Sequence, residues 1–377
     1  VADRRGTIEP PASVEAGGLH AAPRRSRWPL ALILLVVLLI AIFLVVVRPW
    51  DGGRKPSPTP PSQPHQVVHD APLDAHGRPY RAFGDRSWWN TPVPVSAPQN
   101  PHATQILDYL STAPESGHGC LRLAGAENNK WGQPAYWAQP SDPEYAVHGL
   151  PAGAPPEMQH LRIPVGAGGA NNSDGTMTVY DVARGYVALM TDAHYDAATD
   201  TWSASGATVT YLDSNGLLDA IGKSNDPRNI GTHRGNNGAT SYVRYDMVKA
   251  GAVRNVLKIA AGPELSNRWV FPMTGSDGDV TDPAVGAPPE GLRLRLKPSI
   301  DLSQLGLHPQ ALVIARALQT YGVYIGDSGG TTALKLEDTK TEGRGQQWTV
   351  TADDLCMLPF TAEFWDVLPG GYDPSAH

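Results

Sequence analysis

The sequence predicts a mainly β protein: an antiparallel β-sandwich of jelly-roll type with a few short helices, preceded by a single transmembrane helix. Three observations predict it. The run PLALILLVVLLIAIFLVVV, Pro29 to Val47, carries no charge and is long enough to cross a bilayer as a helix. The body that follows is rich in Gly, Pro, Asn, Asp, Ser and Thr with many Trp and Tyr, a composition that suits a turn-rich β domain. Short apolar runs separated by Asp, Gly and Ala turns recur through it, as in an antiparallel meander. An open barrel is the second architecture compatible with this pattern.

Five regions follow from composition. Residues 1–27 lack apolar periodicity and read as a disordered cytoplasmic tail. Residues 28–48 form the anchor. Arg24, Arg25 and Arg27 precede it, and Arg48, Arg54 and Lys55 follow with Asp51 among them, a balance that favours a cytoplasmic N-terminus. No small-x-small cleavage site follows Val47, so an uncleaved anchor is preferred to a signal peptide. Residues 49–80 form a Pro-rich, extended stalk. Residues 81–368 form an extracytoplasmic β domain, and residues 369–377 a C-terminal tail.

Within the body, Ile106, Leu107 and Leu110 have helical spacing and predict a helix over 103–111. MTVYD (177–181), YVALMTDAHY (186–195) and TWSASGATVTYL (201–212) predict three strands. The Gly- and Asn-rich stretch 217–237 reads as a long loop. RYDMVKAGAVRNVLKIAA mixes a short helix with a strand. GLRLRLKP places Leu292, Leu294 and Leu296 on one face and Arg293 and Arg295 on the other, as in a half-buried strand. PQALVIARALQTYG is the best helix, with Pro309 in its first turn and Gly322 as its stop. VYIGDSGGTTALKLED reads as a hairpin around Asp327 to Gly330.

The formal charge is −7, and basic residues beyond the stalk are scattered, so nothing suggests a nucleic-acid partner. There are two cysteines, Cys120 and Cys356. Outside the membrane they can form one disulfide, and the sequence leaves open whether they do.

Two resemblances bear on function. The blocks SWWNTPVP, NSDGTMTVYD, RGNNGAT, PEGLRLRLKPSIDLSQLGL and ARALQTYGVYIGDSGG together resemble secreted or anchored proteins common in high-GC actinobacteria. That resemblance runs from Ser87 to about Leu336. It implies an exported β domain and brings no named activity. SGHGCLRL, Ser116 to Leu123, is similar to the Ser-His-Gly-Cys-x-Arg signature of L,D-transpeptidases. It implies Cys120 as a thiolate nucleophile beside His118, with His102 as a second histidine. The match departs from that family in the inserted Gly117, in Ala103 after His102, and in having no strands before the cysteine.

Three further constellations carry candidate chemistry. Pairing Asp181 with Tyr186 across VARG brings Asp192 close to Asp174, and strand alternation puts His194 on the face of Asp192. Asp174, Asp192 and His194 are therefore the candidate catalytic groups. The same trio suits a divalent cation, although no cofactor is required. The loop GTHRGNN offers His233, Arg234 and Asn236 for ligand contact, with Arg234 able to clamp a carboxylate. Trp131, Tyr136 and Trp137 offer flat faces on which sugar rings can stack, as do Trp88 and Trp89. IGDSGG resembles the serine-protease GDSGG sequence, but no TAAHC-like segment accompanies it, and it reads as a hairpin tip.

The expected function is action on a polysaccharide or cell-wall glycan, as a glycoside hydrolase or polysaccharide lyase. The alternatives are a non-catalytic glycan-binding protein and an L,D-transpeptidase-like cysteine enzyme. The expected partners are the glycan and, through the N-terminal helix, the membrane.

Overall fold

The computed structural model describes residues 69–113, 119–127, 131–262 and 267–376. The tail, the apolar span and most of the stalk lie outside the described residues, as do Ser116, Gly117 and His118. Among the described residues no helix is long and apolar enough to cross a membrane.

The fold is mainly β, with mixed sheets and a few short helices, and among the described residues no sheet closes into a barrel. The largest sheet has six strands in the order β1 (Arg122–Ala124), β14 (Ala333–Lys335), β11 (Leu257–Ala261), β13 (Val323–Ser328), β12 (Arg293–Leu296) and β15 (Trp365–Val367). β1 runs parallel to β14, and β11 parallel to β13; the other neighbours are antiparallel. The second sheet has the order β10 (Gly206–Tyr211), β7 (Tyr186–Thr191), β6 (Met177–Asp181) and β2 (Ala135–Trp137), with β2 parallel to β6. A three-stranded sheet, β4 (Val147–His148), β9 (Thr201–Ser203) and β8 (His194–Asp196), and a two-stranded one, β3 (Glu144–Tyr145) and β5 (Leu161–Arg162), complete the set. The sheets are thus mixed, where the sequence led us to expect antiparallel pairing alone.

Alternation along the six-stranded sheet separates its two faces. Leu123, Ile259, Leu294, Leu296, Ile325 and Leu334 are fully buried in one apolar core. Three helices share that core: α1 (Ala103–Thr112), α2 (Tyr245–Lys249) and α3 (Pro309–Thr320). α1 buries Ile106, Leu107 and Leu110, and α3 buries Ala311, Ile314, Ala315 and Leu318, the stripes their periodicity predicts. The ring of His308 accepts from the Gln310 N–H and caps α3.

The opposite face carries Arg122, Lys258, Lys335, Arg293 and Arg295. Arg293 and Arg295 are 1% and 2% exposed, so β12 is buried on both faces, not half-buried as its pattern suggested. Arg295 pairs with Asp366. Arg293 stacks over Trp88 at 4.7 Å and donates to the Tyr321 carbonyl. Burial pushes its guanidinium down to about 9. Trp88, Trp89 and Tyr324 pack edge to face above this half of the sheet. The other half of the same face stays open.

Two of the expected long strands are broken. Asp192 takes a positive φ of 54°, which ends β7 at Thr191 and sends His194 into the three-stranded sheet. The third run likewise divides into β9 and β10. The expected hairpin of β13 and β14 does not form either. β11 lies between them, parallel to one and antiparallel to the other.

Cys120 and Cys356 are disulfide-bonded, with Cα atoms 4.9 Å apart at a sequence separation of 236. Such a bond suits an oxidising, extracytoplasmic compartment.

Candidate functional site

The open half of the six-stranded sheet forms the floor of a cleft of about 910 Å³. Arg122 and Ala124 from β1, Ala333 and Lys335 from β14, and Lys258 and Ala260 from β11 line it. Leu189 and Thr191 from β7 and Gly206 and Thr208 from β10 form a facing wall. The loop with His233 and Arg234, the loop with Asp174, and the end of β13 close the sides.

Arg234 organises the charges. Its Nη2 lies 2.9 Å from Asp327 Oδ1, and its Nη1 donates to Asp277. Lys258 Nζ lies 2.8 Å from Asp327 Oδ2. Asp327 therefore accepts from two cations on different elements. Burial opposes its ionisation, but Lys258, Arg234 and Lys335 together outweigh that and hold its carboxyl below the usual range. Asp277 Oδ1 also accepts from the Ser328 N–H at 3.2 Å. Lys335 Nζ is 3.8 Å from Asp174, whose side chain is 46% exposed. Burial and the neighbouring Lys258 charge push the Lys335 ammonium down, against the pull of Asp327 and Asp174.

Glu290 lies next to Asp277 and is completely buried. Its Oε1 accepts from the Asp277 N–H at 3.0 Å, while its Oε2 meets no donor. Burial, then hydrogen bonding with the Asp277 carboxyl, raises it to about 8. A proton on Oε2 removes the mismatch, because the neutral acid can donate to Asp277.

Two close approaches shape the cleft. Gly175 has φ +50°, and a Cβ there would stand 2.9 Å from the Asp192 Cα. A Cβ on Gly326 would stand 2.5 Å from Asn236 Oδ1. Asn236 is 2% exposed, accepts from Tyr324 OH at 3.1 Å and donates to the Gly326 carbonyl. Its amide locks the loop to β13. On the facing wall the hydroxyls of Thr176 and Thr208 are buried without a hydrogen-bond partner, and so is Arg234 Nε.

The structure gathers Trp131, Asp174, His233, Arg234 and Asn236 from the sequence candidates around this one cleft. Trp131 is 40% exposed on its lining. Asp192 and His194 are exposed and outside that lining. Asp174 is a near neighbour of Asp192, whose N–H reaches the Asp174 carbonyl at 2.7 Å. The pairing arithmetic, however, set Asp192 opposite Gly175 and Ala193 opposite Asp174, and the Ala193 N–H instead meets the Gly175 carbonyl at 2.9 Å. The positive φ at Asp192 then breaks the alternation that was to carry His194 along. Tyr136 and Trp137 are core residues, 2% and 3% exposed, not sugar platforms. Trp137 stacks on Tyr180 at 4.2 Å, and the Arg244 guanidinium lies against both rings, 4.7 Å from Trp137 and 5.7 Å from Tyr180. Trp88 and Trp89 are likewise buried. Among the described residues, no three His, Cys, Asp or Glu side chains are grouped as a metal ion requires.

Sequence reasoning missed Lys258, Asp277, Glu290, Asp327 and Lys335. IGDSGG and PEGLRLRLKP each contained a signal, a charged residue beside a glycine, but only long-range strand order brings these residues together. No family model, curated protein or solved structure matches the chain. What the fold and cleft define is a disulfide-bonded, mainly β domain with one strongly charged interior cleft.

Proposed function

We propose that the domain acts on a carbohydrate bound in this cleft, as a glycoside hydrolase or a polysaccharide lyase. The observation that carries the reading is one cleft that combines the exposed indole of Trp131 with Asp174, His233 and Arg234. Indole faces stack on sugar rings, while carboxylates, imidazole and guanidinium supply acid, base and charge neutralisation. In a hydrolase, Asp174 would serve as one of the two carboxylates flanking the scissile bond. In a lyase, His233 would take the proton from the carbon beside a uronate carboxylate that Arg234 neutralises. The electron pair would form the new double bond, and the departing glycosidic oxygen would take a proton from an acid or from water.

A second reading is a non-catalytic glycan-binding domain. The pairing of Asp277 and Asp327 with Arg234 favours it, because it commits two of the three lining aspartates to cations. In either reading the domain stands outside the membrane behind the 28–48 anchor and the stalk, a topology supported by the disulfide. Both large sheets contribute walls to one cleft, which supports a sandwich-type description of the fold. With its sulfur bonded to Cys356, Cys120 offers no thiolate, and the cysteine-enzyme reading has no support from the site.

Incubating the purified chain with cell-wall polysaccharides tests the proposal. New reducing ends indicate a hydrolase, and unsaturated ends absorbing in the ultraviolet indicate a lyase. Retention on the glycan without products indicates binding alone. Neither products nor retention would overturn the carbohydrate reading. A reporter fused at the carboxyl end should be accessible on intact cells, and a shielded reporter would overturn the topology.

A further inference from the structure

Lys258 and Lys335 sit on adjacent antiparallel strands. Each lies one residue beyond the Ile259–Leu334 pair, at the same end of it, so both project from the cleft face of the sheet. Like charges in that relation repel and need compensation. Lys258 has it, with Asp327 at 2.8 Å. Asp327 is in turn shared with Arg234. Among the described residues Lys335 pairs with Asp174 at 3.8 Å, a half-exposed carboxylate at the edge of the cleft, and it feels Asp327 as a carboxylate already shared between Lys258 and Arg234. Yet the Lys335 side chain is just 17% exposed. A largely buried ammonium whose paired carboxylate stands 3.8 Å away is only partly compensated, and an anion in the cleft would complete the compensation. The positions that alternate with these lysines on the floor are Ala124, Ala260 and Ala333, whose methyl groups leave the charge uncovered toward the cleft.

We infer that Lys335, supported by Lys258, forms a carboxylate-binding subsite, and that the glycan taken by the cleft is acidic, bearing uronate residues. The inference rests on the carbohydrate reading above and adds the substrate class. A uronate carboxylate, other than the one that Arg234 neutralises in the lyase reading, sits against Lys335 Nζ, while its sugar ring lies over the alanine floor.

The test titrates the full chain, isotope-labelled on lysine, with galacturonate and with galactose as its neutral counterpart. Galacturonate should bind about tenfold more tightly. One lysine resonance should move to a higher titration midpoint on binding, and that resonance should be missing from Lys335→Met. The Lys335→Met protein should bind both sugars equally, while Lys335→Arg should keep part of the preference. Equal binding of the two sugars by the wild-type chain would overturn the acidic subsite and leave the cleft a sugar site. So would a Lys335→Met protein that keeps the full preference. Failure of both sugars to bind, with melting temperatures unchanged, would overturn the carbohydrate reading and this inference with it.

Discussion

Arg234 Nη2 lies 2.9 Å from Asp327 Oδ1, and this ion pair ties the GTHRGNN loop to the end of β13. The two segments are far apart in sequence, and each looked like an ordinary glycine-rich turn. Joined, they set the depth and the charge of the cleft. The loop is held from a second side by Asn236, whose amide spans Tyr324 and the Gly326 carbonyl.

Removing the shared acceptor should therefore loosen the site. Asp327→Asn leaves Lys258 and Arg234 competing for a neutral group in a poorly hydrated place. We expect a loss of about 2–4 kcal/mol in urea unfolding, as for a broken buried pair. Glycan binding should fall with it, whereas the same substitution at the exposed Asp192 should leave stability within about 0.5 kcal/mol.

Glu290 makes stability depend on pH. Its folded value of about 8 lies above the ordinary 4.5, so the folded state keeps a proton that the unfolded state has released. The stabilisation is complete below the lower value and is lost as pH rises toward the upper one. Glu290→Gln keeps the neutral shape. Urea melts should show the variant gaining on the wild type by at least ~1 kcal/mol between about pH 5 and about pH 8. A difference that stays constant with pH would show that Glu290 does not hold the proton.

The two tryptophans near β2 should behave oppositely. Trp131→Ala should weaken glycan binding by roughly fivefold, on the order of 1 kcal/mol, with little change in melting temperature. Trp137→Ala removes a buried ring stacked on Tyr180 and touched by Arg244, and should cost ~3–5 kcal/mol of stability. Calorimetric melting and binding isotherms on both variants separate the roles.

The Cys120–Cys356 bond closes a loop of 236 residues. Cys356→Ser, or reduction with dithiothreitol, should cost ~2–5 kcal/mol. If glycan cleavage is found, it should survive at temperatures where the reduced chain stays folded, because neither sulfur lines the cleft.

Local order was legible in the sequence, and assembly was not. The stripes Ile106–Leu107–Leu110 and Ala311–Ile314–Ala315–Leu318 predicted α1 and α3 because helical burial repeats over a few residues. The MTVYD–YVALMT pairing followed because its turn fixes the register. Asp192 escaped notice because a single positive φ, invisible in composition, redirected the chain. Arg293 and Arg295 looked solvent-facing because alternation cannot show that Trp88 covers Arg293, or that Asp366 and the Val93 and Pro94 carbonyls hold Arg295. The cleft was half legible. Polar loops announced His233 and Arg234, but Lys258, Asp277 and Lys335 depend on which distant strands become neighbours. Tyr136 and Trp137 misled because an aromatic ring reads the same whether it meets a ligand or a core.

The six-stranded sheet draws β1 from the first third of the domain and β15 from its last residues, with β11 placed between β13 and β14. Its strands cannot all find their neighbours until nearly the whole polypeptide has been made. Early segments must wait, unpaired, for late ones. High contact order of this kind slows folding and exposes strand edges meanwhile. Production of this domain should therefore depend on holding chaperones, and truncation within the last strand should yield aggregates instead of a smaller folded core.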